Sequence, residues 1–111
     1  MPFIIPKTRD LIKTQGYSAC ETVGELCYVF YEHLIKTWND EPRWKTAHRL
    51  YDFECDPMNN EFVLMVYDQV ANKFEADDIA KAASLAYKVF FELIVIPYER
   101  KQQELNGDIH G

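Results

Sequence analysis

The chain is short of the features that announce a chemistry. Its three cysteines, Cys20, Cys27 and Cys55, are odd in number and form no Cys-x-x-Cys pair, which argues against a disulfide framework and for a reduced, cytoplasmic setting. Only four glycines and five prolines occur. They fall between candidate elements, with no linker and no internal repeat, so residues 1–111 read as one domain. Lysine and arginine never cluster into a basic stripe, and the formal charge is −6 with a pI near 5.0. Without positive charge to displace counterions, nucleic acid is not an expected partner. Eighteen carboxylates against twelve bases is too mild an excess to imitate DNA and serves solubility. No apolar run approaches the roughly 18 residues a membrane span needs, so no membrane partner is expected. The opening "MPFIIPKTRD" carries two prolines and no basic leader region, unlike a signal peptide. No GxGxxG, Walker loop or GxSxG is present.

What is present is apolar and periodic. Hydrophobic residues make up 48% of the chain and aromatics 14%, enough to offset the entropy of ordering one core. Lys7 to Gly16 reads as a short helix ended by glycine. Thr22 followed by Glu25 forms a capping box, in which each side chain satisfies the other's free backbone N–H. It opens a helix over 23–38 with an apolar stripe at Val23, Leu26, Cys27, Phe30, Leu34 and Trp38. Glu25, Glu32, His33 and Lys36 then face outward. Pro42 suits a first helical position, and Trp44, Ala47, Leu50 and Tyr51 mark one face of a helix to about Phe53. Asp56-Pro57 again reads as a cap with a first-turn proline. Residues 57–73 fit two descriptions: "FVLMVY" alone suits a buried strand, whereas Val63, Val66, Tyr67, Val70 and Phe74 suit a helix. The helix is the better fit because Gln69, Ala71, Asn72 and Lys73 extend the pattern without a turn residue.

The segment "VFFELIVIPYERKQQELNG" is decided by its polar residues. Lys81, Ser84, Lys88, Glu92 and Glu99 fall within an arc of about 80° at 100° per residue, an order that a two-residue period does not give. The spacing predicts one helix of about 28 residues, roughly 42 Å long. Pro97 deletes the hydrogen bond to the Leu93 carbonyl and kinks the rod without ending it, and Gly107 after Asn106 supplies a left-handed terminator. The expected fold class is therefore all-α, a small helical bundle with one long, Pro-kinked C-terminal helix. So wide an apolar arc asks for cover. We expect a homo-oligomer, with a dimer favoured, through Phe90, Phe91, Ile94 and Val95. The alternative is a monomeric bundle with the same residues as core.

Candidate chemistry is sparse. His48, Asp52, Glu54 and Asp56 follow one another, but Pro57 stands where an EF-hand needs glycine, counting from Asp52. They read as a solvated acidic connector, and His33 reads as a surface histidine. Small helical nucleotide pyrophosphohydrolases hold magnesium with paired acidic motifs on facing helices; Glu21 and Glu25 lack such a partner pair, and a di-iron Glu-x-x-His is absent. Cys20 and Cys27 read as packing residues. No metal and no cofactor are expected. The C-terminus is denser in hydrogen-bonding groups: Tyr98, Glu99, Arg100, Lys101, Glu104, Asn106 and Asp108. Two readings stand, a solvated helix end or a recognition surface on a protruding helix. The binding reading rests on Tyr98, Glu99, Arg100, Lys101, Asn106 and Asp108.

Three stretches, "MPFI" at the start, "GELCY" at 24–28 and "PYERKQQELNGDIH" at 97–110, resemble a family of small bacteriophage and prokaryotic proteins. Its members commonly show a Gly-(Asp/Glu)-Leu-Asn-Tyr segment and end in Pro-Tyr-Glu…Lys…Asn-Gly-Asp-Val. Cys27 stands where that family has asparagine. The resemblance implies a phage-type origin and a helical fold, and brings no activity with it. The expected function is a non-enzymatic accessory protein that binds a host protein or sequesters a small molecule, in a counter-defence role in the host cytoplasm. The rivals are a metal-dependent enzyme of nucleotide metabolism using Glu21, Glu25 and Glu99, and a structural virion component.

Overall fold

A computed structural model describes the backbone of residues 6–110 and the side chains of residues 10–105. Five helical rods and no strand occur among the described residues: α1 (Pro6–Gln15), α2 (Val23–Asp40), α3 (Arg43–Cys55), α4 (Glu61–Val70), and a last rod. That rod is α5 (Ala76–Phe90), a π-helical segment Phe91–Val95, and α6 (Ile96–His110), in unbroken succession. The fold is the expected all-α bundle, and residues 61–70 are helix.

Packing is organised around α2 lying along α5, with α3 and α4 laid on α5. Ala82, Ala83 and Ala86 of α5 are fully buried, and their small side chains admit the bulkier Leu26, Cys27, Phe30 and Leu34 of α2. Phe53 of α3, Val63, Val66 and Val70 of α4, and Ile79 and Phe90 of α5 complete one continuous core. Edge-to-face contacts of Phe30 with Phe53 and with Phe62, at 6.3 and 5.7 Å between centroids, tie α2 to α3 and α4.

Local signals account for some of the helix ends. The Glu25 N–H donates to Thr22 Oγ1 at 3.1 Å, and the return bond runs from the Thr22 hydroxyl to Glu25 Oε1 at 3.4 Å rather than from the Thr22 backbone. Gly16 adopts φ +74° in the turn after α1, where a side chain is strained. Beyond it, the Tyr17 N–H donates to Gln69 Oε1 at 3.0 Å, and Lys73 Nζ donates to the Ser18 carbonyl, fastening the turn to the end of α4.

Several expectations are corrected. Pro42 sits at the N-cap of α3 rather than in its first turn. Asp56-Pro57 opens a short 3₁₀ turn, Pro57–Asn59, and α4 is capped by Asn60, whose Oδ1 accepts from the N–H groups of Phe62 and Val63. The buried face of α3 is Thr46, Leu50 and Phe53, while Trp44 and Tyr51 are 70% and 65% exposed. Thr46 is buried because its hydroxyl donates to the Thr37 carbonyl at 3.2 Å, so a polar group closes the α2–α3 corner without loss. Gly107 does not end the last helix, which runs through it to His110.

Pro97 is accommodated as its chemistry requires. The turn before it is π-helical, with the Ile96 N–H donating to the Phe91 carbonyl five residues back. The wider turn absorbs the missing N–H, and the rod continues. Lys81, Ser84, Lys88, Glu92 and Glu99 are all exposed, as their stripe implied.

Candidate functional site

The edge of α3 beside its buried face, Arg43, Ala47, Tyr51 and Glu54, borders the long rod, and between the two lies a trough. Its larger hollow, about 350 Å³, is lined by Trp38 of α2, Arg43, Ala47, Leu50, Tyr51 and Glu54 of α3, and Tyr87, Phe91, Val95, Tyr98 and Glu99 of the rod. A second hollow of about 310 Å³ is lined by Glu54, Ser84, Tyr87, Lys88, Phe91 and Glu92. The two share Glu54, Tyr87 and Phe91. From Ser84 to Glu99 the rod flanks the trough for about 22 Å.

Aromatic rings make its floor. Tyr87 lies between Phe53 and Phe91, stacked at 6.3 and 5.8 Å with interplanar angles of 24° and 25°. Tyr98 meets Trp38 edge-to-face at 5.8 Å, and the Arg43 guanidinium lies 3.7 Å over Tyr98 and 5.1 Å from the Trp38 ring centre. Such cation–π contacts draw a guanidinium to the faces of aromatic rings. The Tyr87 hydroxyl donates to Glu54 Oε2 at 3.2 Å, which pins that carboxylate where the two hollows meet. Burial first, and then the negative charge of Glu54, push the Tyr87 phenol up to about 12.

Two further hollows, about 600 and 520 Å³, are both bounded by His33 and Phe62, the larger one also by Arg49, Leu50 and Phe53 of α3. His33 is not the surface histidine that its neighbours on α2 suggested. Its ring stacks on Phe62 at 3.7 Å and 6°, and burial, followed by the charges of Arg49 and Lys36, lowers its pKa to about 4. Cys20 and Cys27 are buried in the core, and burial with the Glu25 carboxylate pushes the Cys20 thiol up to about 11. That thiol is a packing group.

The trough gathers part of the expected binding set. Tyr98 and Glu99 line it; Arg100 and Lys101 are exposed further along α6, outside both hollows. The side chains of Asn106 and Asp108 lie outside the described residues. Of the expected oligomer contacts, Phe90 and Val95 are buried in the protomer's own core and leave no surface for a second copy. Phe91 and Ile94 are half-buried against it. The exposed apolar positions nearby are Leu85 and Leu93, 50% and 60% exposed.

Glu21 and Glu25 stand at the start of α2, whereas Glu99 follows Tyr98, which packs on Trp38 near its end. Glu25 and Trp38 are separated by about 20 Å of helix, so these carboxylates do not meet around one ion. Among the described residues no three His, Cys, Asp or Glu side chains are grouped to hold a metal, His48, Asp52, Glu54 and Asp56 included. No helix of the described residues is long and apolar enough to cross a membrane.

Arg43 and Tyr87 were missed by reading the sequence, which placed Tyr51 on a helix face and Glu54 in a solvated connector rather than in a site. Their partners lie in other helices, and the one local signal is the recurrence of aromatics at Tyr87, Phe91 and Tyr98. Compared with protein-family models, curated proteins and solved structures, the chain matches none.

Proposed function

We propose that the chain is a non-enzymatic, phage-type accessory protein that binds a host protein through the trough between α3 and the long rod. The observation that carries this reading is the placement of Tyr98 and Glu99, the start of the phage-like C-terminal motif, at the end of that trough, with Tyr98 stacked on Trp38 beneath Arg43. An open, elongated, aromatic-lined surface suits a polypeptide, whereas sequestered small molecules are generally held in enclosed pockets. Aromatic and arginine side chains are also those that dominate binding energy at protein interfaces.

The proposal places the protein in the host cytoplasm as a dimer. Leu85, Val89 and Leu93 follow one another at four-residue intervals on a flank of the rod distinct from the trough, with Ile94 beside them; these are the proposed contacts.

The test is affinity capture from infected cells with the wild type and with Tyr98→Ala. A host protein held by the wild type and lost from the folded variant supports the reading. Equal capture by both proteins, or magnesium-dependent nucleotide turnover that Glu99→Ala abolishes, sinks it.

A further inference from the structure

The trough is lined with the chemistry that receives a guanidinium, and one guanidinium already lies in it. Arg43 rests 3.7 Å over Tyr98, with Trp38 at its side. Of the other lining rings, Tyr87 is stacked on Phe53 and Phe91 on its two faces, whereas Tyr51 is 65% exposed and offers a ring face to a partner. The acidic groups outnumber the basic ones along the lining: Glu54, Glu92 and Glu99 against Arg43 and Lys88. Glu54 is the central one, fixed by the Tyr87 hydroxyl at 3.2 Å where the two hollows meet. A fixed carboxylate beside exposed ring faces is a receptor for a planar cation, because the carboxylate pairs with the N–H edge while the rings take the face. The whole chain, at −6, draws positive partners by the same sign.

Resting on the reading that this trough binds a host protein, the geometry points to the occupant: an arginine-bearing, otherwise apolar segment of that partner, its guanidinium seated between Glu54 and the Tyr51 ring and its neighbouring side chains on Phe91. Arginine suits the site better than lysine, since its flat, weakly hydrated head stacks on rings and forks onto a carboxylate. The trough's length of about 22 Å accepts six or seven extended residues. Arg43 marks how a guanidinium is held at one end and leaves the centre free.

The test uses the full chain carrying Trp44→Phe, which leaves Trp38 as the sole tryptophan reporter at the trough. Three probes are titrated by fluorescence: a short blocked peptide with a central arginine between leucines, the same peptide with citrulline in place of arginine, and agmatine. The expected result is saturable binding of the arginine peptide, with the neutral citrulline peptide and agmatine each weaker by about tenfold or more. Glu54→Gln, whose amide oxygen still accepts from Tyr87, is expected to keep its melting temperature and weaken the arginine peptide about tenfold. Arginine and citrulline peptides binding within twofold of each other would overturn the inference, as would no saturation by the arginine peptide. Agmatine matching the peptide would also overturn it, because a free organic cation would then suffice. Each of these failures leaves the capture result with Tyr98→Ala standing or falling separately.

Discussion

Single side chains set the sharpest constraints on this fold. Gly16 combines a φ of +74° with Gln69 Oε1 only 2.8 Å from where a Cβ would stand. That oxygen cannot retreat freely, since it accepts from the Tyr17 N–H. Gly16→Ala is therefore expected to cost about 1–2 kcal/mol from backbone strain alone, read as a lower urea midpoint. His33 makes a second, pH-dependent prediction. Its pKa falls from 6.5 to about 4 in the folded chain, so between these values the unfolded chain binds a proton that the folded chain refuses. The sign follows: the His33 contribution is complete above pH 6.5 and is lost as the pH falls toward about 4. Thermal melts across this window should show a decline that His33→Gln reduces, and titration of the His33 ring signal should give a midpoint near 4 rather than 6.5. Nothing near His33 in sequence announces this. Its stacking partner, Phe62, lies on α4, so the short-range pattern on α2 reads only as a polar face.

At the scale of elements, helix identity was legible where side chains speak to their own turn. Thr22 and Glu25 announce α2, and the narrow stripe from Lys81 to Glu92 announces the rod. The strand-or-helix choice for residues 61–70 resolves as helix, with Val63, Val66 and Val70 buried three and four apart, but the helix ends at Val70, and Ala71, Asn72 and Lys73, read as its extension, form a turn. What the local pattern did not fix is which face of α3 turns inward. Trp44 and Tyr51 are the more apolar choice, yet Thr46 takes the buried place because the Thr37 carbonyl offers it a partner. Thr46→Val should thus cost about 1 kcal/mol despite adding an apolar group at a buried site, measurable by denaturant unfolding. The trough was legible only at Tyr98 and Glu99, because the Arg43–Tyr98 and Glu54–Tyr87 contacts join helices far apart in the chain. Within the rod, stability is uneven. Beyond Tyr98, residues 99–101 and 103–105 are exposed, and an unsupported helix of that length is marginal in water. Hydrogen exchange should be rapid at residues 100–105 and slow at residues 79–90, with a difference of several orders of magnitude.

The whole molecule measures 55 × 28 × 20 Å, elongated because the rod outruns the helices that cover it. Its core is satisfied within one chain: Phe90 is fully buried between Tyr31 and Trp38. Phe90→Ala should cost about 3–5 kcal/mol by unfolding the protomer itself, whatever its association. Leu93→Glu, by contrast, should leave the melting of the protomer near that of the wild type and shift light scattering from dimer to monomer, since Leu93 is 60% exposed. A wild type that is monomeric at high concentration would refute the proposed dimer while leaving the trough intact. That trough carries the functional account, and site-specific photo-crosslinking in infected cells tests it most directly. A crosslinker at Tyr51, on the trough, is expected to yield one discrete adduct with a host protein, and a crosslinker at Leu64, exposed on α4 outside it, none. The same adduct from Leu64, with nothing from Tyr51, would contradict the account.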